Sequence, residues 1–456
     1  MTAHAGDRDG PRWGLLVATS LGFAVVQLDV SVVNVAIKPI GAALGGGVSA
    51  LQWVVNAYTV AFAAFILTAG ALGDRIGAKR VFSAGFVLFT LASAACGLAP
   101  SLGALIAARA VQGVGAAVLV PCSLTLLNHA HPDAGDRARA VGLWAAGASV
   151  ALSGGPLVGG ILTSALGWRS IFFINAPIGV AGILMTARWA RETPRRSERG
   201  VDLAGQLAAV LALGALAGAM IEGGVAGFGD PAVIAAFAFA AASGVTFLVV
   251  EGRRAAPMLP LGLFRSATFS AATAIGLLVN IAFYGLIFVL SLFFQRAQGL
   301  SPLQTGLAFA PMTAVVMGAN VLAGRIGRGP AARRVIAAGA LLLAAGSAAL
   351  LGTGAATPYL QLVAQLVAIG FGLGLVVPVI TSTLLGSVDA SRSGVASGTL
   401  NTARQTGSVI GVALFGSLAA THRGLASGLH ESLAICVAIA LVVLVLATRI
   451  ERPAAG

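Results

Sequence analysis

Charged side chains are scarce. Asp, Glu, Lys and Arg make up 9% of the 456 residues, where a soluble globular domain carries about 25%. Polar surface this thin cannot cover a water-soluble fold of this size, so soluble enzyme classes are excluded. Lysine is nearly missing: Lys38 and Lys79 are 2 of the 28 basic residues, against 15 acidic ones, for a net charge of +13. A basic balance raises nucleic acid as a partner, but such proteins gather their charge on one solvated face. Here the charges fall in short segments between apolar runs, as topogenic charge does in membrane proteins. Arginine in place of lysine, with abundant Ala and Gly, points to a GC-rich bacterial genome. The three cysteines, Cys96, Cys122 and Cys436, lie far apart inside apolar runs, without CxxC or metal-ligand spacing, and read as small core residues. His129 and His131 share a polar loop with nothing nearby to complete a metal site. No metal or cofactor is expected. No G-x-S-x-G, H-E-x-x-H or GxxxxGK[ST] motif occurs, so neither hydrolase chemistry nor built-in ATP hydrolysis by that route is expected.

What is there is apolar length. Hydrophobic residues make up 58% of the chain and the mean hydropathy is +0.95. Runs of about 20 apolar residues, enough to cross a ~30 Å hydrocarbon core, recur throughout. Fourteen spans are expected, over 13–37, 51–72, 81–99, 103–127, 140–166, 170–187, 202–222, 231–250, 268–294, 305–324, 335–353, 358–385, 394–419 and 431–448. The fold class is an all-α polytopic membrane protein. The first span is too long for a signal-peptide core and contains Asp29, so it is read as retained. With the N-terminus in the cytoplasm, 22 Lys and Arg fall in cytoplasmic segments and 4 in outer loops. That asymmetry places both termini inside.

The halves repeat. Leu72-Gly-Asp-Arg-Ile-Gly77, after span two, matches Leu322-Ala-Gly-Arg-Ile-Gly327, after span ten. Gly115-Ala-Ala-Val-Leu-Val-Pro121 in span four matches Gly372-Leu-Gly-Leu-Val-Val-Pro378 in span twelve. The offsets, 250 and 257, imply six spans, two inserted spans and six more, the repeat construction common in transporters. The expected units are 1–190, an N-terminal six-helix bundle; 191–255, a linker with two inserted helices; and 256–456, a C-terminal six-helix bundle.

These residues resemble the major facilitator superfamily, and more closely its fourteen-helix drug:proton antiporter family. Leu28-Asp-Val-Ser-Val-Val-Asn-Val-Ala36 is similar to that family's first-helix motif. Gly70-Ala-Leu-Gly-Asp-Arg-Ile-Gly-Ala-Lys-Arg80 resembles the superfamily's loop motif, and Arg109-Ala-Val-Gln-Gly-Val-Gly-Ala-Ala117 its fourth-helix motif. Gly154-Gly-Pro-Leu-Val-Gly-Gly160 looks like the fifth-helix antiporter motif. Trp168-Arg-Ser-Ile-Phe-Phe-Ile-Asn-Ala-Pro-Ile-Gly179 looks like the family's run into the sixth helix.

Asp29 is the only carboxylate expected deep in a span, where an ionised group is costly. Arg109 lies at a matching depth with Gln112 one helical turn on. Two readings stand: a fixed interhelical ion pair, or, as the resemblance implies, a protonation site at Asp29 modulated by Arg109. Gly73, Asp74, Arg75, Gly77 and Arg80 form the loop that serves relatives as a cytoplasmic gate. Asp74 is expected to cap a neighbouring helix N-terminus, where the dipole favours an anion; the second copy has Gly324 there. Gly154, Pro156, Gly159 and Gly160 are read both as helix packing and, by resemblance, as the seal on one side of the cavity. Arg404, near the middle of span thirteen with Asn401 and Gln405 beside it, should face a cavity or a partner. Gln27, Asn34, Asn56, Tyr58, Gln112, Asn280 and Tyr284 are further candidates to touch substrate, with Asn320, Gln361, Gln365 and Phe283; for each, an interhelical hydrogen bond is the competing reading. Glu222 reads as interfacial.

The resemblance implies a monomeric exporter in the bacterial cytoplasmic membrane. It would exchange hydrophobic drugs or antibiotics for protons by alternating access. Without acidic residues in spans nine to thirteen, a neutral, zwitterionic, monovalent or weakly anionic drug is expected. The alternative is a proton-coupled symporter for a small metabolite on the same fold, since fold does not fix direction.

Overall fold

The computed structural model describes residues 9–131, 133–195, 202–254, 257–327, 331–389, 393–420 and 424–450. Of the basic loop residues, Arg8, Arg196, Arg199, Arg328, Arg392, Arg423 and Arg452 lie outside them. The described chain is helical: α1 (Asp9–Leu44), α2 (Val48–Ile76), α3 (Ala78–Leu98), α4 (Leu102–Ala130), α5 (Ala134–Leu166), α6 (Ser170–Phe173), α7 (Asn175–Trp189), α8 (Leu203–Ala226), α9 (Pro231–Arg253), α10 (Ala267–Leu292), α11 (Pro302–Ile326), α12 (Ala332–Ala349), α13 (Tyr359–Gly386), α14 (Ser393–Ala420) and α15 (Leu425–Ala447). The starts are written locally. Ser101, Asp133, Asp202, Asp230, Ser266 and Ser301 each accept a hydrogen bond from the first amides of the helix that follows, and such caps satisfy orphan donors.

Thirteen helical stretches among the described residues are long and apolar enough to cross a membrane. The fourteenth crossing is α14, whose 28 residues give about 42 Å of helix but whose first half carries Asn401, Arg404 and Gln405. Two details depart from expectation. The first helix continues through Pro39 to Leu44, so Lys38 is a helical residue, not a loop residue. The sixth span is broken at Ile174 into α6 and α7, because Pro177 has no amide to donate to the Phe173 carbonyl.

Helix pairing in the first six spans recurs eight spans later. α1 lies along α5, and α10 along α14; α2 and α3 lie on α4, and α11 and α12 on α13; α3 and α1 pack on α7, as α12 and α10 pack on α15. The repeated glycines do the same job in each set. A Cβ on Gly115 would stand 2.8 Å from the Phe89 amide nitrogen of α3, and one on Gly372 would stand 2.9 Å from the Leu343 nitrogen of α12. Both positions let a helix pair close to backbone contact. The two sets meet through α2 against α14 and α5 against α11, while α8 lies on both α2 and α14, and α9 lies on α8.

Candidate functional site

The carboxylate of Asp29 has no solvent exposure, and Arg109 on α4 is 1% exposed. Arg109 Nη1 donates to Asp29 Oδ2 in a close ion pair and to Gln112 Oε1 at 2.8 Å, while its Nε donates to the Val54 carbonyl of α2 at 3.0 Å. The guanidinium lies 4.2 Å from the centre of the Tyr58 ring, within cation–π range. Gln112 Nε2 donates to Asp29 Oδ1 at 2.9 Å. The depth reading that set Asp29, Arg109 and Gln112 in one layer therefore matches the contacts made.

Two members of the network were not anticipated. Asn175, the first residue of α7, donates through Nδ2 to Asp29 Oδ1 and to Ser93 Oγ, both at 2.9 Å. Ser93 donates in turn to the Phe172 carbonyl at 2.9 Å. The break between α6 and α7 puts Asn175 at a helix start, where its amide reaches across to α1. Its only sequence signal was its place within the Trp168–Gly179 run. Three donors thus satisfy a buried anion, as burial of a charge demands. Protonating Asp29 would leave the Arg109 charge uncompensated.

The loop after α2 is a built turn. Gly77 adopts φ +113°, a region open to glycine, and a Cβ there would strike the Glu192 carboxyl group. Glu192 is the second unanticipated acceptor. It takes the Lys79 amide at 3.0 Å and the Arg80 amide at 3.3 Å, and Thr193 Oγ1 takes the Ala78 amide at 2.9 Å. The start of α3 is therefore capped from the segment after α7. Arg80 Nε also sits 3.7 Å from Glu192 Oε2. Arg75 is exposed and Gly73 buried, with a Cβ on Gly73 meeting Cys122 Sγ at 2.8 Å. In the second copy Gly327 has φ −88°, so that loop does not need the same turn.

The fifth-helix glycines divide by face. Cβ atoms on Gly155 and Gly159 would run into Ser31 and Val32 of α1, and one on Gly160 would lie 2.7 Å from the Pro302 carbonyl oxygen of α11. The Pro156 carbonyl in turn presses on Gly306. Gly154 faces open space within 4 Å; the close-packed residue is its neighbour Gly155, which corrects the expectation for that position. Beside this seam Lys38 Nζ donates to the Gln295 carbonyl at 2.7 Å, Ser291 Oγ to the Asn34 carbonyl at 2.6 Å, and the Leu303 amide to Ser164 Oγ at 3.1 Å. All three bonds join the two sets, so the end remote from the Gly73–Arg80 loop is closed.

Toward the loop end the sets part around a cavity of ≈ 440 Å³, within the range of small-molecule sites. Gly70 and Asp74 of α2, Pro121, Asn128 and His129 of α4, Trp144 of α5, Met258, and Ser397, Gly398 and Asn401 of α14 are among its walls. Of the candidate substrate residues only Asn401 lines it. Tyr58, Gln112 and Asn56 are fully buried, and Gln27, Asn34, Asn280, Tyr284 and Gln405 nearly so. Asn280 bonds to the Gly276 carbonyl of its own helix and Asn34 to that of Val30. Gln361 and Glu222 are exposed. Arg404 is partly exposed, and its Nε has no hydrogen-bond partner.

A second pair of buried acids, Asp202 and Glu251, stands where the inserted helices begin and end. Asp202 caps Gly205 at 2.8 Å and pairs with Arg254 Nη2 at 2.8 Å. Glu251 Oε2 accepts the Leu259 amide at 2.9 Å. Outside the spans, Asp133 is held below its ordinary pKa by the Asp136 and Gly135 amides it caps.

The chain is similar to known proteins along nearly its whole length. It is 39% identical over 411 residues to the methylenomycin A resistance protein of Streptomyces coelicolor, covering 90% of this chain and 86% of that protein. It is 38% identical over 405 residues to the multidrug resistance protein Stp of Mycobacterium tuberculosis, covering 89% and 75%. It is 32% identical over 429 residues to the tetracenomycin C resistance and export protein of Streptomyces glaucescens, covering 93% and 78%. Among solved structures, a bacterial homologue of the human lysosomal transporter Spinster superposes with a TM-score of 0.68 at 18% identity, covering 98% of this chain and 99% of that one; that likeness is one of fold. The family model for the Major Facilitator Superfamily matches residues 19–412. Fourteen membrane-crossing helices, a pairing scheme repeated eight spans on and this match have one meaning: the chain is a membrane transporter, not an enzyme, and belongs to the major facilitator superfamily.

Proposed function

We propose that the chain exports hydrophobic drugs or antibiotics across the bacterial cytoplasmic membrane in exchange for protons. The observation that carries the coupling is the burial of Asp29 between Arg109, Gln112 and Asn175, with Arg109 and Gln112 on α4, a helix that also walls the cavity. Three relatives are named for drug or antibiotic resistance, one of them also for export, which supports drug as cargo. Both termini and the open cavity face the cytoplasm in this reading, in keeping with the basic bias of the loops. Residues 1–190 and 256–456 act as the moving bundles, with 191–255 between them, in a monomer.

Drug enters the cavity from the loop end. A proton reaching Asp29 from outside neutralises the carboxylate and strips Arg109 of its counter-charge, so the bonds that α4 and α7 make to α1 are remade. The seam through Gly155, Gly159 and Gly160 opens, the drug leaves outward, and loss of the proton to the cytoplasm restores the pair. The Gly73–Arg80 loop, tied to Glu192, gates the other end.

Inverted vesicles with an acidic interior and a pH-sensitive dye test this. Drug-dependent proton release is expected from the wild type and not from Asp29→Asn. Equal release from that variant would move coupling away from Asp29. A proton flux in the opposite sense would favour the symport alternative.

A further inference from the structure

A line of polar side chains on α14 continues the cavity wall into the protein. Ser397, Gly398 and Asn401 line the cavity. At helical spacing the same face goes on to Arg404, Gln405 and Ser408. Arg404 Nε, Gln405 Oε1 and Ser408 Oγ are buried atoms with no hydrogen-bond partner. Arg404 is near the midpoint of the 28-residue helix, and its stem passes over Gly276, where a Cβ would stand 3.5 Å from Arg404 Cγ.

Among the described residues the charge of Arg404 has no acidic partner. Between residues 252 and 420 the only acidic residue is Asp389, in the segment after α13. The carboxylate of Asp29 is taken by Arg109. The neighbouring ring that reaches Arg404 electrostatically is Tyr284, a neutral phenol at neutral pH. An arginine at this depth ordinarily pairs or faces a cavity that serves transport, and its planar donors suit an oxyanion.

We propose that Arg404, with Asn401, Gln405 and Ser408, is a binding site for a singly charged oxyanion on an apolar body, such as a hydrophobic carboxylate. The cavity supplies the approach and the apolar wall, including Trp144 and Met258. An anion beside Arg404 supplies the missing counter-charge, which an uncharged or cationic molecule of the same shape cannot do. The identity of this anion as cargo rests on the export reading above; the binding itself does not, and it is measured without any proton gradient.

The test uses full-length protein in phosphatidylcholine nanodiscs and a matched probe pair, 1-pyrenebutyrate and its methyl ester. Binding is read by fluorescence anisotropy, with empty nanodiscs subtracted. A preference for the acid of about tenfold is expected from one charge-assisted hydrogen-bonded contact. Arg404→Gln should bring the ratio close to one, and Arg404→Lys, which keeps the charge but not the fork, should retain part of it. A ratio near one in the wild type, or an unchanged ratio in Arg404→Gln, overturns the proposal; the wild-type comparison decides even if that variant does not fold. Adding phosphatidylglycerol separates the sources of oxyanion. Displacement of the acid in wild type but not in Arg404→Lys or Arg404→Gln assigns the site to a lipid headgroup, and undiminished binding assigns it to a free carboxylate.

Discussion

Asn175 and Asp29, 146 positions apart in sequence, meet through a 2.9 Å hydrogen bond between the first residue of α7 and the middle of α1. The bond ties the sixth span to the first, and the same amide holds Ser93 of α3. Replacing Asn175 with Ala leaves a buried carboxylate oxygen one donor short and removes the donor to Ser93 Oγ, which keeps its own bond to the Phe172 carbonyl. The expected cost is about 1–3 kcal/mol, seen as a lower melting temperature in detergent. Asn175→Asp should cost more, because it sets a second carboxylate against Asp29.

The Asp29–Arg109 pair makes a sharper prediction. Removing one partner strands a buried charge and should destabilise by about 3–5 kcal/mol, so Asp29→Asn and Arg109→Gln each melt early. The double variant, which buries no charge there, should recover most of the loss. Thermal melts of the four proteins give the coupling energy. Additive losses would mean that the two side chains do not act as a pair.

The fifth-helix glycines offer an internal control. Gly154→Ala adds a methyl group to open space and should change stability by no more than about 0.5 kcal/mol. Gly159→Ala puts the same methyl 2.8 Å from the Val32 carbonyl oxygen and should cost about 1–3 kcal/mol through overpacking. Gly160→Leu should hold α5 off α11. A single cysteine placed at Ser164 would then react faster with a thiol reagent added from the outer face than it does with Gly160 in place. Equal rates would show that this contact does not close the seam.

Glu192→Ala should release the first turn of α3 and the side chain of Arg80 together. A cost of about 0.5–2 kcal/mol is expected for the lost cap, with faster amide exchange confined to the start of α3. Asp74→Ala should leave that exchange unchanged, since the amides in question are held by Glu192 and Thr193.

Much of this was legible beforehand, and the reason is physical. Apolar length and basic loops are written into every membrane span, so the fourteen crossings and the repeat were visible. Asp29 and Arg109 stood out because charge is expensive at their depth. Asn175 and Glu192 did not stand out. An amide and a surface carboxylate are unremarkable in any window of sequence, and each gained its role from a partner more than 100 positions away. Gly154 misled in the opposite direction: a small residue in a glycine-rich run looks like a contact whether or not a neighbour faces it. Tyr58 and Gln112, read as candidates for substrate, are spent instead on holding Arg109 and Asp29.

The inserted helix α8 rests on both helix sets, through α2 and α14. On the α2 side it is tethered: Gln206 Nε2 donates to the Ala64 carbonyl at 3.1 Å, and Gln206 Oε1 accepts from Thr68. On the α14 side the contact is smooth, with Gly224 flat against Ser417 and Ala217 against Val409. In the export cycle proposed above, rotation of one bundle against the other cannot leave both contacts as they are. On that proposal the tethered face rides with α2 while the face of glycine and alanine slips past α14, and α8 would serve as a bearing: fixed to one part and greased, by small residues, against the other.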